Sequence, residues 1–476
     1  MTKRLVWMTA GLLLAATLFA EDAKTVLQNA QKAMGSVQSV QYSGTGVNAF
    51  FGQALTAGKE WPRRDLESLT GAINYQQKSD RIEFVFKSPA VFGGQRQNAA
   101  VNGDKAWTVG ANGTANPQLA NAEERQLQIW MSPHGFLQAA TAAGNATVKS
   151  RTENGKKVNV VSFTAMNKFK VDGTIDSDGL VTKVETKFPN PVLGDMPYIF
   201  TYSDYKDFGG VKFPTKIVQS EGGFPVNEVT VTSVQPNVPV DIPVPANVQS
   251  ATMPVVTVAT SKIADGVWFL GGGSHHSVVV EFNNFITVIE GPLTEERSLA
   301  VIAEAKKLAP NKPIKYLVST HHHFDHSGGL RTYVAEGATI VTHASNKPYW
   351  EKTFMAPATI APDAQSKAHK KPSIQAVTDK YVITDGKQSI EVYNTMGDQH
   401  SDELMVAYIL PAKILVEADS YSPGPANAPP PNPVPPNALV LYDNIQRLKL
   451  DPVTVVGIHG RGPVPMAEFL KFVGKS

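Results

Sequence analysis

Hydrophobic residues follow three different patterns along this 476-residue chain, and the first is an apolar run. Residues 5–20 are almost entirely apolar and follow Lys3 and Arg4, which is the layout of a secretory signal peptide. The run is shorter than the roughly 20 residues of a membrane span. We expect cleavage after Ala20, a periplasmic or secreted bacterial protein and no stable membrane insertion afterwards; an uncleaved anchor is the alternative.

The second pattern covers residues 21–250. Apolar residues at a helical spacing predict one helix near the start, which Gly35 could terminate. These residues are Val26, Leu27, Ala30 and Met34. From 40 to about 234, short runs of β-branched and aromatic residues alternate with NG, DG and GG turns. This alternation predicts an antiparallel sheet of hairpins, with one helical segment near AEERQLQIWM.

Five prolines between 236 and 254 then favour an extended connector over a packed element, although an edge strand is an alternative. We therefore place a domain boundary near residue 250, which gives a β-rich domain at 21–250 and a second domain at 251–476.

The third pattern, beyond this boundary, alternates strands with helices. GVWFLGG, SVVVEF and FITVIEG read as strands, and the helix after them has Thr294 as its N-cap and Pro310 just past its end. IKYLVST and ATIVTH read as strands on either side of a helix that ends at Gly337. This order predicts an α/β fold in which helices cover the outer faces of a sheet.

Composition narrows the class of protein. The chain is 42% hydrophobic and 18% charged, with a formal net charge of +2, which indicates a globular protein without a basic nucleic-acid surface. It contains no cysteine, which excludes disulfide bonds and a lipid-modified cysteine. Ten of the 11 histidines lie after residue 250, so we expect the chemistry in the second domain.

The segment THHHFDH, 320–326, follows a predicted strand. In extended backbone His321 and His323 project to one side and His322 to the other, and Asp325 and His326 follow at the turn. Imidazole and carboxylate donors together suit zinc, with manganese or iron as alternatives. A solvent-exposed polar loop is the other interpretation, because the segment alone supplies too few ligands for two metals.

Three further candidates follow strand-like runs, which is where ligands gather in sheet-based enzymes: His400, Asp419 and His459. The order H-x-H-x-D-H, histidine, aspartate and the histidine of IHG resembles the metallo-β-lactamase superfamily over roughly 255–476. The resemblance implies an αββα sandwich, preceded here by the mainly antiparallel β domain with its short N-terminal helix. It implies two zinc ions, the first held by His321, His323 and His400, the second by Asp325, His326 and His459, with Asp419 bridging both.

With Asp419 included, the set of predicted ligands resembles that of glyoxalase II-like hydrolases and lactonases more than that of dedicated β-lactamases. The family's pattern implies an exported dizinc hydrolase in which a metal-bridging hydroxide cleaves an ester, thioester, lactone or amide bond of a small molecule. Asp325 would be the catalytic residue that orients the hydroxide and carries the proton. The chain departs from the family at two positions: Glu290 stands where many members have aspartate, and Gln399 where glycine is common. These departures leave the identity of the substrate undetermined.

Two alternatives come from other classes: an iron-dependent redox enzyme of the same superfamily, or a hydrophobic-ligand-binding periplasmic protein with an accessory metal domain. The second arises because the N-terminal half is similar to the periplasmic lipoprotein-carrier fold. His275 and His276 could reach the substrate, but we expect them to be solvent-facing loop residues. The eight prolines between 423 and 436 are expected to form a rigid wall at the mouth of the active site.

Overall fold

The computed structural model describes residues 22–88 and 94–475, so the predicted signal peptide lies outside the described residues. The helices are α1 Ala23–Met34, α2 Ala122–Met131, α3 Pro133–Ala143, α4 Ala246–Gln249, α5 Glu295–Leu308, α6 Phe324–Ser327, α7 Leu330–Glu336, α8 Lys347–Thr353, α9 Ala364–Ala368, α10 Pro436–Arg447 and α11 Met466–Phe472. In the described ranges, none of them has the length and apolar character needed to cross a bilayer.

The first half of the chain forms one antiparallel sheet of 13 strands. Its strands are β1 Ser39–Ala49, β2 Arg63–Asn74, β3 Ser79–Phe86, β4 Arg96–Asn102, β5 Lys105–Val109, β6 Ala115–Pro117, β7 Thr147–Glu153, β8 Lys156–Ala165, β9 Phe169–Ile175, β10 Val181–Asn190, β11 Gly194–Asp207, β12 Lys212–Glu221 and β13 Phe224–Pro236. The order is β6-β5-β4-β3-β2-β1-β13-β12-β11-β10-β9-β8-β7, so β1 pairs with both β2 and β13. The predicted hairpin sheet is therefore confirmed.

Helices α1, α2 and α3 pack against this sheet. The predicted apolar residues of α1 are all buried there. Asp22 is the N-cap residue just before the helix, and its carboxylate accepts from the backbone N–H of Thr25. The sequence predicted one helix near 122–131, but the structure has two helices here, because α3 follows directly after α2. Its signals were in the sequence: Ser132 is its N-cap, Pro133 its first residue, and Gly144 ends it in a left-handed conformation.

The proline-rich connector is more packed than expected. Val240, Ile242 and Val248 are buried against Trp107 of the first sheet, and α4 forms within the segment. The prolines do remove backbone donors, but the apolar residues between them still gain from burial.

The second half contains two further sheets. One has seven strands in the order β14 Ala259–Ala264, β15 Val267–Gly271, β16 Ser277–Glu281, β17 Ile286–Ile289, β18 Ile314–Val318, β19 Thr339–His343 and β20 Ser373–Val377. The other has six in the order β21 Lys380–Thr384, β22 Ser389–Asn394, β23 Met405–Leu410, β24 Ile414–Glu417, β25 Thr454–Gly457 and β26 Pro463–Pro465.

The two sheets pack face to face with helices outside, which confirms the predicted αββα sandwich. Val278 and Val280 of β16 belong to the core between the sheets, whereas Val279 between them faces the outer core beneath α5 and α7. On the other side, α10 and α11 cover the second sheet. Helix α5 begins as predicted, with the Thr294 hydroxyl accepting from the backbone N–H of Arg297.

Candidate metal centre

The seven predicted metal-ligating residues come together at one edge of the two sheets. His321, His323, Asp325 and His326 follow β18, Asp419 follows β24, His459 follows β25, and His400 lies in the loop between β22 and β23. Strand β18 is parallel to β17, and β24 is parallel to β25. The carboxyl ends of parallel strands meet at the same edge of a sheet, so residues far apart in sequence converge there.

Three of these histidines form one group. The ring centroids of His321 and His323 are 4.5 Å apart, and those of His323 and His400 are 4.3 Å apart. One nitrogen from each ring lies within 4.8 Å of those of the other two, close enough to hold a single metal ion. This group is the set that the resemblance assigned to the first metal.

The second group contains the three residues assigned to the second metal, Asp325, His326 and His459, together with His275. Asp419 lies between the two groups. Its carboxylate is 3.3 Å from His321 Nε2 and 3.5 Å from His400 Nε2 on one side. On the other side it is 2.8 Å from His326 Nε2 and 2.9 Å from His459 Nε2. Asp419 therefore occupies the place of a bridging ligand.

Unpaired donors mark the position that a cation would fill. His321 Nε2, His323 Nδ1 and His400 Nε2 are buried and form no hydrogen bond with any described residue. Buried polar atoms are nearly always paired, because an unpaired one costs about 1–3 kcal/mol. A buried set of unpaired imidazole nitrogens beside a carboxylate fits a divalent cation such as zinc.

In three of the predicted ligands, His321, His323 and His326, one ring nitrogen has a partner that orients the ring. His321 Nδ1 contacts the Thr320 hydroxyl at 3.0 Å, and His323 Nε2 donates to the backbone carbonyl of Ala54 at 3.0 Å. His326 Nδ1 donates to Glu290 at 2.7 Å. Such partners fix the ring and its tautomer, so the free nitrogen points toward the metal position.

Glu290, noted as a departure from the family's usual residue, is therefore part of the centre. It is fully buried with φ 70°, a left-handed conformation that is uncommon outside glycine. One carboxylate oxygen accepts from His326 and the other from the backbone N–H of Thr320 at 2.7 Å. His322 projects away from the group as predicted and pairs with the buried Glu403.

The charges of the centre suit metal binding. Burial lowers the pKa of His321 and of His323 well below the ordinary value, which keeps both imidazoles neutral. Burial works against ionisation of Asp419 as well, but the neighbouring His326 outweighs it and lowers the pKa of that carboxyl well below its usual range. Neutral imidazoles and ionised carboxylates are the forms that bind metals. His326 differs from His321 and His323, because burial lowers its pKa but Asp419 and Glu290 outweigh burial and raise that pKa well above the ordinary value. A cation bound there would displace that proton.

His275 was missed as a site residue. It is only 6% exposed, contrary to the expectation of a solvent-facing loop, and His276 is 7% exposed. His275 Nε2 lies 3.2 Å from Asp325 Oδ2, and its ring centroid is 4.1 Å from that of His459. His276 instead donates to the backbone carbonyl of Gly460. The expectation failed because β15 and β16 place this glycine-rich turn against the second sheet, a contact that local sequence does not encode.

The proline-rich segment borders the site as predicted. Pro435 and Pro436 line a cavity of about 560 Å³ that opens onto His323, His400 and Asp419. Pro436 is also the first residue of α10, a position that needs no backbone N–H. The segment therefore runs from just after Asp419 to the first turn of a helix.

The family model described as the metallo-beta-lactamase superfamily matches residues 270–464. The match covers less than half of the chain, and within it the chain is similar to the metallo-β-lactamase superfamily. The match spans the seven predicted ligands and His275. It also covers most of the two-sheet sandwich.

Solved structures give low overall similarity. A metallo-β-lactamase from Pontibacter korlensis is 19% identical, with a TM-score of 0.35 over 46% of this chain and 98% of its own. Rubredoxin oxygen:oxidoreductase from Desulfovibrio gigas is 18% identical, with a TM-score of 0.35 over 45% of this chain and 61% of its own. A metallo-β-lactamase from Hirschia baltica is 19% identical, with a TM-score of 0.34 over 45% of this chain and 95% of its own. No curated protein sequence matches the chain.

Proposed function

We propose that the protein is a dizinc metallohydrolase that cleaves an ester, thioester, lactone or amide bond of a small molecule. The observation that carries the proposal is the pair of adjacent donor groups with Asp419 between them. Five imidazoles and two carboxylates in the predicted set match the donor types that zinc prefers. Two bound cations would supply an activated water nucleophile and polarise the bond under attack.

Asp325 is the proposed catalytic carboxylate. Burial opposes its ionisation, but the hydrogen bond with His275 and the charge of His326 outweigh it and hold the pKa of Asp325 below its usual range. Its Oδ1 accepts from Gln53 Nε2 at 2.8 Å, so the side chain is held from two directions. A fixed, ionised carboxylate at the edge of the donor groups can accept a hydrogen bond from a water molecule and orient it, although its lowered pKa makes it a weaker proton acceptor than an ordinary carboxylate.

The hydrophobic-carrier alternative has less support. One cavity between the first sheet and its helices has a volume of about 100 Å³, below the roughly 300–1,000 Å³ of small-molecule sites. Two larger cavities of the first domain, about 550 and 320 Å³, lie beside α1 and are lined mainly by polar residues such as Gln31, His134 and Asp176. The cavity beside the metal centre has a similar volume of about 560 Å³. The polar lining of the larger first-domain cavities is therefore what disfavours a hydrophobic ligand there.

The test is metal analysis of the purified chain beside two variants. We expect about two zinc ions per chain, and about one or fewer in Asp419→Ala, because the bridging carboxylate serves both sites. Asp443→Ala removes an exposed carboxylate on α10 and is the matched control, with unchanged zinc content. Zinc-loaded protein would then be assayed on lactone, thioester, ester and β-lactam substrates.

Iron in place of zinc, together with oxygen or nitric oxide reduction, would replace the hydrolase proposal with the redox alternative. Absence of stoichiometric metal under all loading conditions would contradict both.

The proposed periplasmic or secreted location rests on the apolar run at 5–20 behind Lys3 and Arg4. The intact mass of the protein recovered from the periplasm or medium tests it. A mass that corresponds to a chain beginning at Glu21 is expected, and retention of the full sequence in the membrane fraction would contradict it.

A further inference from the structure

The loop between β1 and β2, residues 50–62, reaches from the first sheet into the metal centre. Its backbone carbonyl groups at Gly52 and Ala54 accept from the N–H of Phe324 at 3.1 Å and from His323 Nε2 at 3.0 Å. The Gln53 side chain between them donates to Asp325. Three successive residues of this β1–β2 loop thus contact the segment that carries four of the predicted ligands.

Aromatic packing holds the β1–β2 loop in place. The ring centroids of Phe51 and Trp61 are 5.3 and 5.5 Å from that of Phe324, the residue next to Asp325. Both contacts are edge-on, the geometry that adjacent aromatic rings favour. Thr56 adds a hydrogen bond from its hydroxyl to Asp402, 2.6 Å away. The loop is therefore fixed at both ends and in its middle.

The same loop forms one wall of the cavity above the predicted ligands. Phe50, Gln53 and Pro62 line one side, and Tyr421, Pro436 and Phe472 line another, with the ligands at the base. Among the described residues that line the cavity, Asp419 is the only one with a carboxylate, and none is a lysine or arginine. The other polar lining residues are uncharged: Gln53, Gln399, Ser420, Ser422 and Asn437. A charged group away from the metal ligands would find no opposite charge on these walls, whereas an apolar group would bury surface against the aromatic and proline side chains.

We infer that the substrate carries an uncharged, apolar group of several carbons that lies between the β1–β2 loop and the wall of Tyr421, Pro436 and Phe472. This inference rests on the proposed function and adds the substrate class. It also makes the first domain a determinant of specificity, with Phe50 as the wall residue that contacts the apolar group and Gln53 as a positioning residue for Asp325.

The experiment uses alkyl hydroxamates, whose head group chelates zinc and whose tail varies in length. Binding of acetohydroxamate and hexanohydroxamate to the zinc-loaded full chain would be measured by calorimetry. We expect the longer compound to bind at least roughly tenfold more tightly, because its extra methylenes leave water. Phe50→Ala should reduce that preference several-fold, because the longer tail loses its contact with the Phe50 ring.

Leu55→Ala is the matched control, because Leu55 lies on the same loop, is 45% exposed and is not among the residues lining the cavity. Phe50 is itself 36% exposed, so its truncation should be tolerated by the fold, and Phe50→Met should restore the preference. Equal binding of the two hydroxamates, or equal effects of Phe50→Ala and Leu55→Ala, would overturn the inference alone. If neither hydroxamate binds, the metal centre is contradicted and the inference falls with it.

Discussion

The backbone carbonyl of Ala54 accepts a hydrogen bond from His323 Nε2, a residue 269 positions later in the chain. The bond leaves His323 Nδ1 as the nitrogen that faces His321 and His400. A loop of the first sheet thus orients a predicted ligand of the second domain. Partners of this kind typically change metal affinity by about 10- to 100-fold when they are lost.

Gly52→Ala tests this contact between the two halves of the chain. Gly52 has φ 80°, and an added Cβ would lie 2.9 Å from Phe324, so the β1–β2 loop must shift away from the metal centre. We expect zinc affinity, measured by competition with a chelator, to fall about tenfold. Gly113→Ala is the control, because Gly113 has φ 79° and open space around its Cβ position. Equal zinc affinity in the two variants would show that the loop contact does not matter.

His275→Ala tests the residue that the sequence did not identify. His275 lies with Asp325, His326 and His459 in one donor group, so its loss should weaken the second metal and spare the first. We expect one of two zinc ions to bind roughly 10- to 100-fold more weakly in calorimetric titration. His369→Ala, at an exposed histidine after α9, should bind both ions as the unmodified chain does. Equal weakening of both ions would contradict the assignment.

Glu290→Gln tests the buried carboxylate behind His326. The two oxygens of Glu290 accept from different donors, and glutamine would turn an NH₂ group toward one of them. We expect a cost of about 1–3 kcal/mol in stability, together with weaker binding of the second metal. Thermal unfolding and zinc titration check the two effects, and Glu296→Gln at an exposed position of α5 is the control. Unchanged metal binding would limit Glu290 to a structural role.

Asp80→Asn tests the electrostatics of the first domain. Burial raises the pKa of Asp80 to about 7, although the charge of Arg125 opposes the shift. The folded state therefore holds a proton that the unfolded state loses near pH 4, so this group's contribution to stability falls as pH rises from about 4 to about 7. We expect the variant to be more stable than the unmodified chain at pH 8, by at most about 4 kcal/mol, and the difference to shrink toward pH 4.

Chemical denaturation of the two proteins at pH 4, 6 and 8 measures this difference. A constant difference in the free energy of unfolding across that range would show that Asp80 is ionised in both states.

Sequence alone determined much of the second domain. The strand and helix patterns predicted a helix-covered sheet, the Thr294 cap and the end of α7 at Gly337, because these depend on residues within a few positions of one another. The two-sheet sandwich was implied by the resemblance to the metallo-β-lactamase superfamily. The seven predicted ligands were found because each stands in a recognisable motif or directly after an apolar strand.

Tertiary structure decided what those patterns could not reach. His275 enters the donor group only because β15 and β16 pack it against the second sheet, and Ala54 reaches His323 only because the β1–β2 loop leaves the first sheet at that point. In the connector, burial of Val240 and Ile242 was decided by the sheet beneath them and not by the prolines around them. Contacts between residues hundreds of positions apart leave no periodic signal in the chain, so only the folded arrangement of the sheets could place them.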